Sequence, residues 1–184
     1  MERLTKEEWL KHGLRTLAQA GFTELKADKL CKSLGVSRGS FYWHFKNLAD
    51  FHSAVLAYWQ QVAVVSTIES IENQSDDPLQ KVRLLIGVAK AGDRSLEQAI
   101  RAWAFSDSMV KQTVQQIDQQ AEGYVAQLLI QSGLDASTAA LRADIFYSSY
   151  IGRLMLGKGN NEPEASLLVD QLMMFLGMPP TTSP

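Results

Sequence analysis

Hydrophobic side chains recur every three to four residues along most of the chain, the spacing that places them on one face of an α-helix. The first such stripe consists of Leu10, Leu14, Leu17 and Ala18. Thr5 and Glu8 stand ahead of it at the separation of a capping box, and Gly21 follows it as a stop signal. The pattern therefore predicts a first helix from about Lys6 to Ala20.

Two shorter helices follow, and a three-residue turn joins them. The inner face of the earlier one, predicted from about Ala27 to Leu34, consists of Ala27, Leu30, Cys31 and Leu34. Gly35 can adopt the left-handed conformation that ends a helix, and Ser37 is a good N-cap for the next one. Two short helices joined by such a turn are typical of a helix-turn-helix, whose second helix enters the major groove of DNA.

The short helix after Ser37 has two different faces. Phe41 and Phe45 lie one turn apart and fill an inner face, whereas Tyr42, Trp43 and Lys46 lie broadly opposite. Hydroxyl, indole and ammonium groups are hydrogen-bond donors, and phosphate oxygens need donors. We predict that this outer face meets DNA. The alternative is structural, since tyrosine and tryptophan are commonly half-buried with one polar tip in water.

The remaining stripes predict six further helices. Their approximate ranges are Leu48–Ile71, Leu79–Ala91, Leu96–Phe105, Ser108–Gln131, Ser137–Leu156 and Pro163–Leu176. The inner stripe predicted for the first of them consists of Phe51, Val55, Tyr58, Val62 and Val65. The expected fold class is all-α, with a three-helix helix-turn-helix domain at the N-terminus, a helical bundle at the C-terminus and about nine helices in total.

Composition excludes several classes of protein. With 184 residues, 46% of them hydrophobic, the chain can bury a sizeable core and is not expected to be disordered. Its apolar runs are shorter than the roughly 18 residues that span a membrane. Acidic residues among the first twenty argue against a signal peptide, and a single cysteine excludes an internal disulfide framework. We expect a cytoplasmic protein without membrane association.

The net charge of −2 is unusual for a DNA-binding protein, but its distribution is not. Residues 1–50 carry nine Lys and Arg against six Asp and Glu, and residues 51–184 carry nine against fourteen. The positive surplus therefore coincides with the predicted helix-turn-helix, where it can attract phosphates.

The segment from Gly35 to Asn47, GVSRGSFYWHFKN, closely resembles the recognition region of the tetracycline-repressor (TetR) family of bacterial transcription regulators. Gly21, Phe22 and Leu30 also fit, and the resemblance covers roughly residues 5–55. Membership implies a homodimer that binds palindromic operator DNA, a ligand-responsive repressor located in the bacterial cytoplasm and associated with the nucleoid when bound. It also implies a DNA-binding domain at residues 1–47 and an effector-sensing and dimerisation domain at residues 48–184.

Two positions depart from the family's pattern. Lys26 stands where the family usually has Ser or Thr, and Leu48 stands where it often has Lys, so the flanking phosphate contacts are expected to differ. Arg38 can contact a guanine edge or a second phosphate, and Gly39 lets the backbone approach the groove. The predicted DNA-binding residues are Lys26, Ala27, Arg38, Gly39, Ser40, Tyr42, Trp43, His44 and Lys46.

The resemblance also assigns roles to the C-terminal part. The last two helices are rich in small and apolar residues and resemble the family's dimer interface, and the alternative is that they close the monomer core. The interface residues predicted there are Ala140, Ser148, Gly152, Leu168, Leu172 and Met173. An unknown small-molecule effector is expected among seven aromatic residues and one methionine that could instead be core, namely Trp59, Trp103, Phe105, Met109, Tyr124, Phe146, Tyr147 and Tyr150.

Other kinds of chemistry have little support in the sequence. His12, His44 and His52 are isolated from one another, and no spacing typical of a metal site occurs, so neither metal nor cofactor is expected. No nucleophile, base and orienting group stand together, which argues against an enzyme. Cys31 is interpreted as a small core residue, because burial makes a thiol unreactive. The competing hypothesis is a helical interaction protein whose degenerate helix-turn-helix does not bind DNA.

Overall fold

The computed structural model describes residues 4–91, 94–157, 171 and 173–177, and its regular elements there are all helical. The α-helices, in chain order, are α1 Lys6–Ala20, α2 Ala27–Leu34, α3 Arg38–His44, α4 Leu48–Gln60, α5 Ser66–Glu72, α6 Pro78–Ala91, α7 Arg94–Ala104, α8 Ser108–Gln131 and α9 Ala136–Met155. A 3₁₀ turn covers Phe22–Glu24, and a π-helical segment covers Gln61–Val65 between α4 and α5. The predicted all-α fold is confirmed, and most of Pro163–Leu176 lies outside the described residues.

The first helix begins and ends as its sequence predicts. The Thr5 hydroxyl accepts the backbone N–H of Glu8 at 3.2 Å, and the Glu8 carboxylate accepts the backbone N–H of Thr5 at 2.7 Å. Gly21 closes the helix with a positive φ of 79°, a conformation that a side chain would disfavour. These local interactions set the start and the end of α1 independently of the rest of the fold.

The chain divides into two compact units. One contains α1 to α4, the π segment, α7 and the beginning of α8, and the other contains α5, α6, the rest of α8 and α9. This division follows packing, whereas the boundary predicted after Asn47 is one of function and stays a prediction. In the first unit, α7 packs along α1 and against the 3₁₀ turn. The helix-turn-helix is thus supported by a helix distant in sequence.

Four aromatic residues form the centre of the first unit. Trp9 from α1, Phe41 and Phe45 from α3 and its end, and Phe51 from α4 are each at most 1% exposed. Their ring centroids are 5.5 Å apart for Trp9–Phe41, 5.4 Å for Phe41–Phe51 and 4.9 Å for Phe45–Phe51. This group, called here the aromatic core, joins three helices through edge-to-face contacts of the kind that aromatic pairs prefer.

The π segment changes which residues of the helix after Asn47 face inward. The sequence predicts Val62 on the inner stripe, but Val62 is 49% exposed and Val64 is 8% exposed. A π turn contains one residue more than an α turn. The buried position that follows Trp59 is therefore five residues later, and the predicted placement of Val62 is wrong.

The second unit has its own apolar core, built from α6, α8, α9 and two residues near the C-terminus. Val82, Leu129, Phe146, Met173 and Leu176 are among its members. At its edge, the Glu72 carboxylate accepts hydrogen bonds from Lys81 and from the Tyr124 hydroxyl. Burial raises the pKa of Tyr124, and the hydrogen bond with Glu72 raises it further by a smaller amount. These contacts connect the end of α5 with α6 and α8.

In the part of the chain that the structure describes, no helix is both long enough and apolar enough to cross a membrane.

We predict that Gly13→Ala destabilises the fold although alanine is the better helix former. A Cβ at Gly13 would lie 2.8 Å from Phe51 Cζ and 3.0 Å from Val55 Cγ2, and both side chains are fully buried. Overpacking of this kind costs about 1–3 kcal/mol. Thermal unfolding followed by circular dichroism should show a lower Tm for this variant.

Gly123→Ala is the matched control, since Gly123 is also within a helix but a Cβ there meets no described atom within 4 Å. It should raise stability by about 0.5–1 kcal/mol through helix propensity. A Gly13→Ala protein as stable as the control would show that α1 and α4 do not approach as closely as described.

Candidate nucleic-acid interface

The turn between α2 and α3 is held by backbone geometry and by a buried thiol. Gly35 has φ 66° and ψ 30°, the left-handed conformation that glycine adopts without strain. The backbone N–H of Val36 donates to the Cys31 carbonyl at 3.0 Å, and the Cys31 thiol donates to the Ser37 carbonyl at 3.7 Å. Burial raises the pKa of this thiol. Cys31 lies in the core, where the sequence places it, and helps to connect α2 to the start of α3.

The two faces of α3 differ sharply in exposure. Phe41 and Phe45 are 0% and 1% exposed, whereas Tyr42 and Trp43 on the other face are 49% and 66% exposed. Lys46, just beyond the helix, is also exposed. Exposed large aromatic residues beside a cation are typical of surfaces that bind a partner.

Arg38, at the start of α3, is oriented by two neighbours. Its Nε lies 2.9 Å from Asp28 Oδ1 of α2, and both side chains remain more than 60% exposed. Its Nη2 lies 3.5 Å from the Tyr42 hydroxyl, and the guanidinium carbon lies 5.9 Å from the centre of the Tyr42 ring. Sequence analysis missed the role of Asp28, because no local pattern reports a contact across the turn.

Gly39 is not required by the packing of this chain. It is exposed, its φ is outside the left-handed range, and a Cβ added to it would have Ser37 Oγ as its nearest described atom, at an ordinary contact distance of 3.6 Å. Glycine within a helix costs about 1 kcal/mol relative to alanine. Its presence here is compatible with close approach by another molecule. The adjacent Ser40 is half-buried, and its backbone N–H donates to the Ser37 carbonyl at 3.0 Å.

His44 has a structural contact in addition to its predicted role. It is half-buried, and its Nε2–H donates to the Leu4 carbonyl at 2.7 Å, connecting α3 to the segment before α1. A carbonyl can only accept, so in the neutral ring the proton is on Nε2 and Nδ1 is an acceptor. Donation to a phosphate would therefore require a protonated ring, and the contact of His44 with DNA stays a prediction.

Lys46 is held in place through its backbone. Its N–H donates to Asp50 Oδ2 at 2.9 Å, while the backbone N–H of Asp50 donates to Asn47 Oδ1 at 2.9 Å. These two bonds cap α4 and determine where the Lys46 side chain leaves the backbone. Leu48, next in the chain, is half-buried and supplies no charge.

The two predicted residues at the start of α2 differ in exposure. Lys26 is exposed and is the N-cap of the helix, but its side chain makes no capping hydrogen bond. Ala27 is 9% exposed. The first N–H groups of a helix have no partner within it, so this end offers donors from the backbone as well as from Lys26. Their contacts with DNA stay predictions.

The residues predicted to contact an effector belong to both compact units, four in each. In the first unit Trp59 and Trp103 are buried at 4% and 2% exposure, Met109 is half-buried, and Phe105 is 87% exposed. Trp103 packs edge-on against His52 at 4.9 Å, and the His52 Nε2–H donates to the Leu25 carbonyl at 2.9 Å. These contacts join α7 to the helix-turn-helix.

The other four predicted effector residues lie on α8 and α9. Phe146 belongs to the core of the second unit, whereas Tyr124 and Tyr147 are half-buried with hydroxyl groups bonded to carboxylates. The Tyr147 hydroxyl donates to Asp118 at 2.8 Å, and its ring centre lies 6.1 Å from that of Tyr150. The structure thus brings Tyr147 and Tyr150 together.

The predicted dimer residues also have mixed surroundings. Ala140 and Ser148 are exposed on α9, and Gly152 is half-exposed on the same helix. Met173 is 2% exposed within the core of the second unit. Leu168 and Leu172 lie outside the described residues. A role for these residues in a dimer stays a prediction.

Within the described ranges, no group of three or more His, Cys, Asp and Glu side chains is arranged to hold a metal ion.

Comparison with known proteins supports the interpretation of the N-terminal region. A family model described as bacterial regulatory proteins, tetR family, matches residues 10–55, which include α2, α3 and the turn between them. The transcriptional regulator AcuR from Cereibacter sphaeroides is 28% identical over 89 residues, or 48% of this chain. The matched region spans 41% of the length of AcuR.

Solved structures share the fold over nearly the whole chain. A TetR transcriptional regulator from Legionella pneumophila has a TM-score of 0.73 at 13% identity, covering 96% of this chain and 98% of its own. The regulator FadR from Bacillus subtilis, solved in complex with stearoyl-CoA, has a TM-score of 0.69 at 19% identity, covering 94% and 97%. Residues 10–55 thus match the family model of tetR-type bacterial regulatory proteins, and the fold of nearly the whole chain is that of solved TetR-family regulators.

Proposed function

We propose that this chain is a transcriptional regulator that binds a palindromic operator as a homodimer and releases it when a small molecule binds. One observation carries the proposal, which is the division of α3 into a fully buried face and a face with Tyr42 and Trp43 about half or more exposed. Tyrosine and tryptophan bury a large apolar area when a partner covers them, and each offers a hydrogen-bond donor. In DNA, the phosphate oxygens accept hydrogen bonds from these donors and from Lys46, and the sugar and base atoms of a groove can cover the rings.

The shape of the unit fits the same partner. A helix of seven residues at the surface, preceded by a three-residue turn and a supporting helix, can enter a major groove about 12 Å wide. The positive surplus of residues 1–50 favours approach to the phosphate backbone. Two copies of α3 in a dimer would have to lie about 34–36 Å apart to enter successive major grooves.

The dimer is proposed to form through α9. Leu141, Ile145 and Met155 are 61%, 41% and 44% exposed on this helix, and the small residues Ser148 and Gly152 lie between them at helical spacing. An exposed apolar stripe of this length is typical of an interaction site, and small residues allow a second helix to approach closely. The predicted interface residues Ala140, Ser148 and Gly152 belong to the same helix.

The effector is proposed to be a small apolar or aromatic molecule bound by the helices after α3. FadR from Bacillus subtilis, which shares the fold, was solved with stearoyl-CoA, a molecule with a long apolar chain. Binding would lower operator affinity by favouring a conformation in which the two recognition helices no longer match the groove spacing.

Replacing Trp43 and Lys46 by alanine should lower affinity for a selected operator duplex by about a hundredfold or more, since hydrogen bonds to charged groups contribute about 1.5–3 kcal/mol each. Helical content and dimerisation should not change, because both side chains are exposed. Gel shifts over a salt series measure this. Wild-type affinity should fall steeply with salt, whereas weak binding without salt dependence would favour an interaction protein.

The matched control is Phe105→Ala with Lys111→Ala, which removes an exposed aromatic residue and an exposed lysine from the same unit. Gly39→Ala provides a second comparison, because it should keep or raise the Tm while lowering operator affinity. If the control variant lost as much affinity as the Trp43 and Lys46 variant, α3 would not be the binding surface.

Leu141→Glu with Ile145→Glu should convert the dimer to a monomer, because carboxylates would be buried without partners in the proposed interface. Sedimentation velocity measures the change. Val88→Glu with Ile130→Glu is the matched control, since both residues are similarly exposed but lie on α6 and α8. A dimer that survives the α9 substitutions at micromolar concentration would contradict this assignment.

A further inference from the structure

The ion pair between Asp28 and Arg38 bears on whether Arg38 contacts a phosphate or a base in DNA. Asp28 lies in the first turn of α2 and Arg38 is the first residue of α3, so the carboxylate is next to the outer face of the recognition helix. Its Oδ1 is 2.9 Å from Arg38 Nε. The two groups form an ion pair at the surface proposed to meet DNA.

This ion pair makes Arg38 a poor ligand for phosphate. The attraction of a cation for phosphate depends on its net charge, and a carboxylate in contact with the guanidinium cancels most of that charge. The carboxylate would also repel a phosphate placed within a few ångströms. A guanine edge, in contrast, presents the neutral acceptors O6 and N7, for which the direction of the donors matters more than net charge.

The contacts of Arg38 leave suitable donors for such a base edge. A guanidinium has five N–H groups, and Asp28 takes the one on Nε. One N–H on Nη2 points to the Tyr42 hydroxyl at 3.5 Å. Each Nη still has at least one further N–H, and two parallel donors of this kind bind guanine O6 and N7 as a fork.

We infer that Asp28 is a positioning residue, which with Tyr42 orients the Arg38 guanidinium to contact one guanine in each half of the operator. The inference rests on the proposed DNA-binding function and adds which residue selects a base and which residue orients it. Exposed ion pairs are weak in the free protein, but the pair loses solvent when the groove closes over it and its orienting effect then increases.

The test begins with duplexes selected from a random pool by the full-length wild-type protein. Each base pair of the selected half-site is then replaced in turn, and competition binding is measured at several salt concentrations. Wild type should show one G·C pair per half-site whose replacement lowers affinity about tenfold to a hundredfold.

Arg38→Ala and Arg38→Lys should both abolish that preference, because neither residue has the fork of donors. Both should leave the salt dependence almost unchanged, because Arg38 is inferred to contact a neutral base edge and not a phosphate. Asp28→Asn should retain the preference but weaken it by roughly two- to tenfold. Glu24→Gln is the matched control, because it removes the carboxylate of another ion pair, with Lys29, in the same unit. The control should leave the preference intact.

Three outcomes would overturn the inference. Arg38→Ala could lower affinity for all duplexes alike and reduce the salt slope by about one per subunit, which would make Arg38 a phosphate ligand. Arg38→Lys could retain the guanine preference. Asp28→Asn could raise affinity for all duplexes by the same factor as Glu24→Gln, which would make Asp28 a repulsive charge alone. Failure of wild type to select any sequence, with binding that does not depend on salt, would instead contradict the proposed function.

Discussion

The aromatic core of Trp9, Phe41, Phe45 and Phe51 is the contact on which the proposed DNA-binding surface depends. Helix α3 has seven residues and would not be stable alone, since isolated helices shorter than about 12–15 residues are marginal in water. Two of its turns are held by rings that are at most 1% exposed and lie 4.9–5.5 Å from rings on α1 and α4. Burial of a phenylalanine contributes about 1.5–3 kcal/mol, so Phe41 and Phe45 offset part of the entropy cost of ordering this helix.

Because the inner face of α3 is filled by phenylalanine, its tyrosine and tryptophan are left outside. This arrangement separates stability from recognition, so the outer residues can be replaced without emptying the core. The polar contacts around α3 also divide into some that hold the helix in place and some that orient a recognition residue. His44 and the backbone of Lys46 connect the helix to its neighbours, whereas Arg38 is oriented by Asp28 and Tyr42 without being buried. Orientation without burial keeps the guanidinium available to a base.

Local interactions explain how much of this could be predicted from the sequence. The bounds of α1 and α2 follow from the Thr5–Glu8 capping box, Gly21 and Gly35, and all of these act within a few residues of the chain. The exposure of Trp43 and the burial of Phe41 follow from helical periodicity. These features needed no knowledge of the tertiary fold.

The features that sequence analysis missed depend on contacts between distant segments or on small changes of helix geometry. The close approach of α1 and α4 at Gly13 requires knowing which helices are adjacent. The hydrophobic spacing of the π segment also fits an α-helix. The sequence therefore does not reveal that Val64, rather than Val62, is on the inner face. Asp28 resembles an ordinary first-turn acid, and only the folded turn brings it to Arg38.

Insertion of the outer face of α3 into the groove, with its inner face kept in the aromatic core, can be measured through the four tryptophans of the chain. Trp43 is 66% exposed, whereas Trp9, Trp59 and Trp103 are at most 4% exposed. In protein labelled with 5-fluorotryptophan, fluorine NMR should show one resonance with a solvent isotope shift, assigned by Trp43→Phe. A selected operator duplex should move that resonance furthest and remove its isotope shift, and a scrambled duplex should not. Operator binding that leaves Trp43 exposed to solvent and its resonance unmoved would show that the outer face of α3 does not enter the groove.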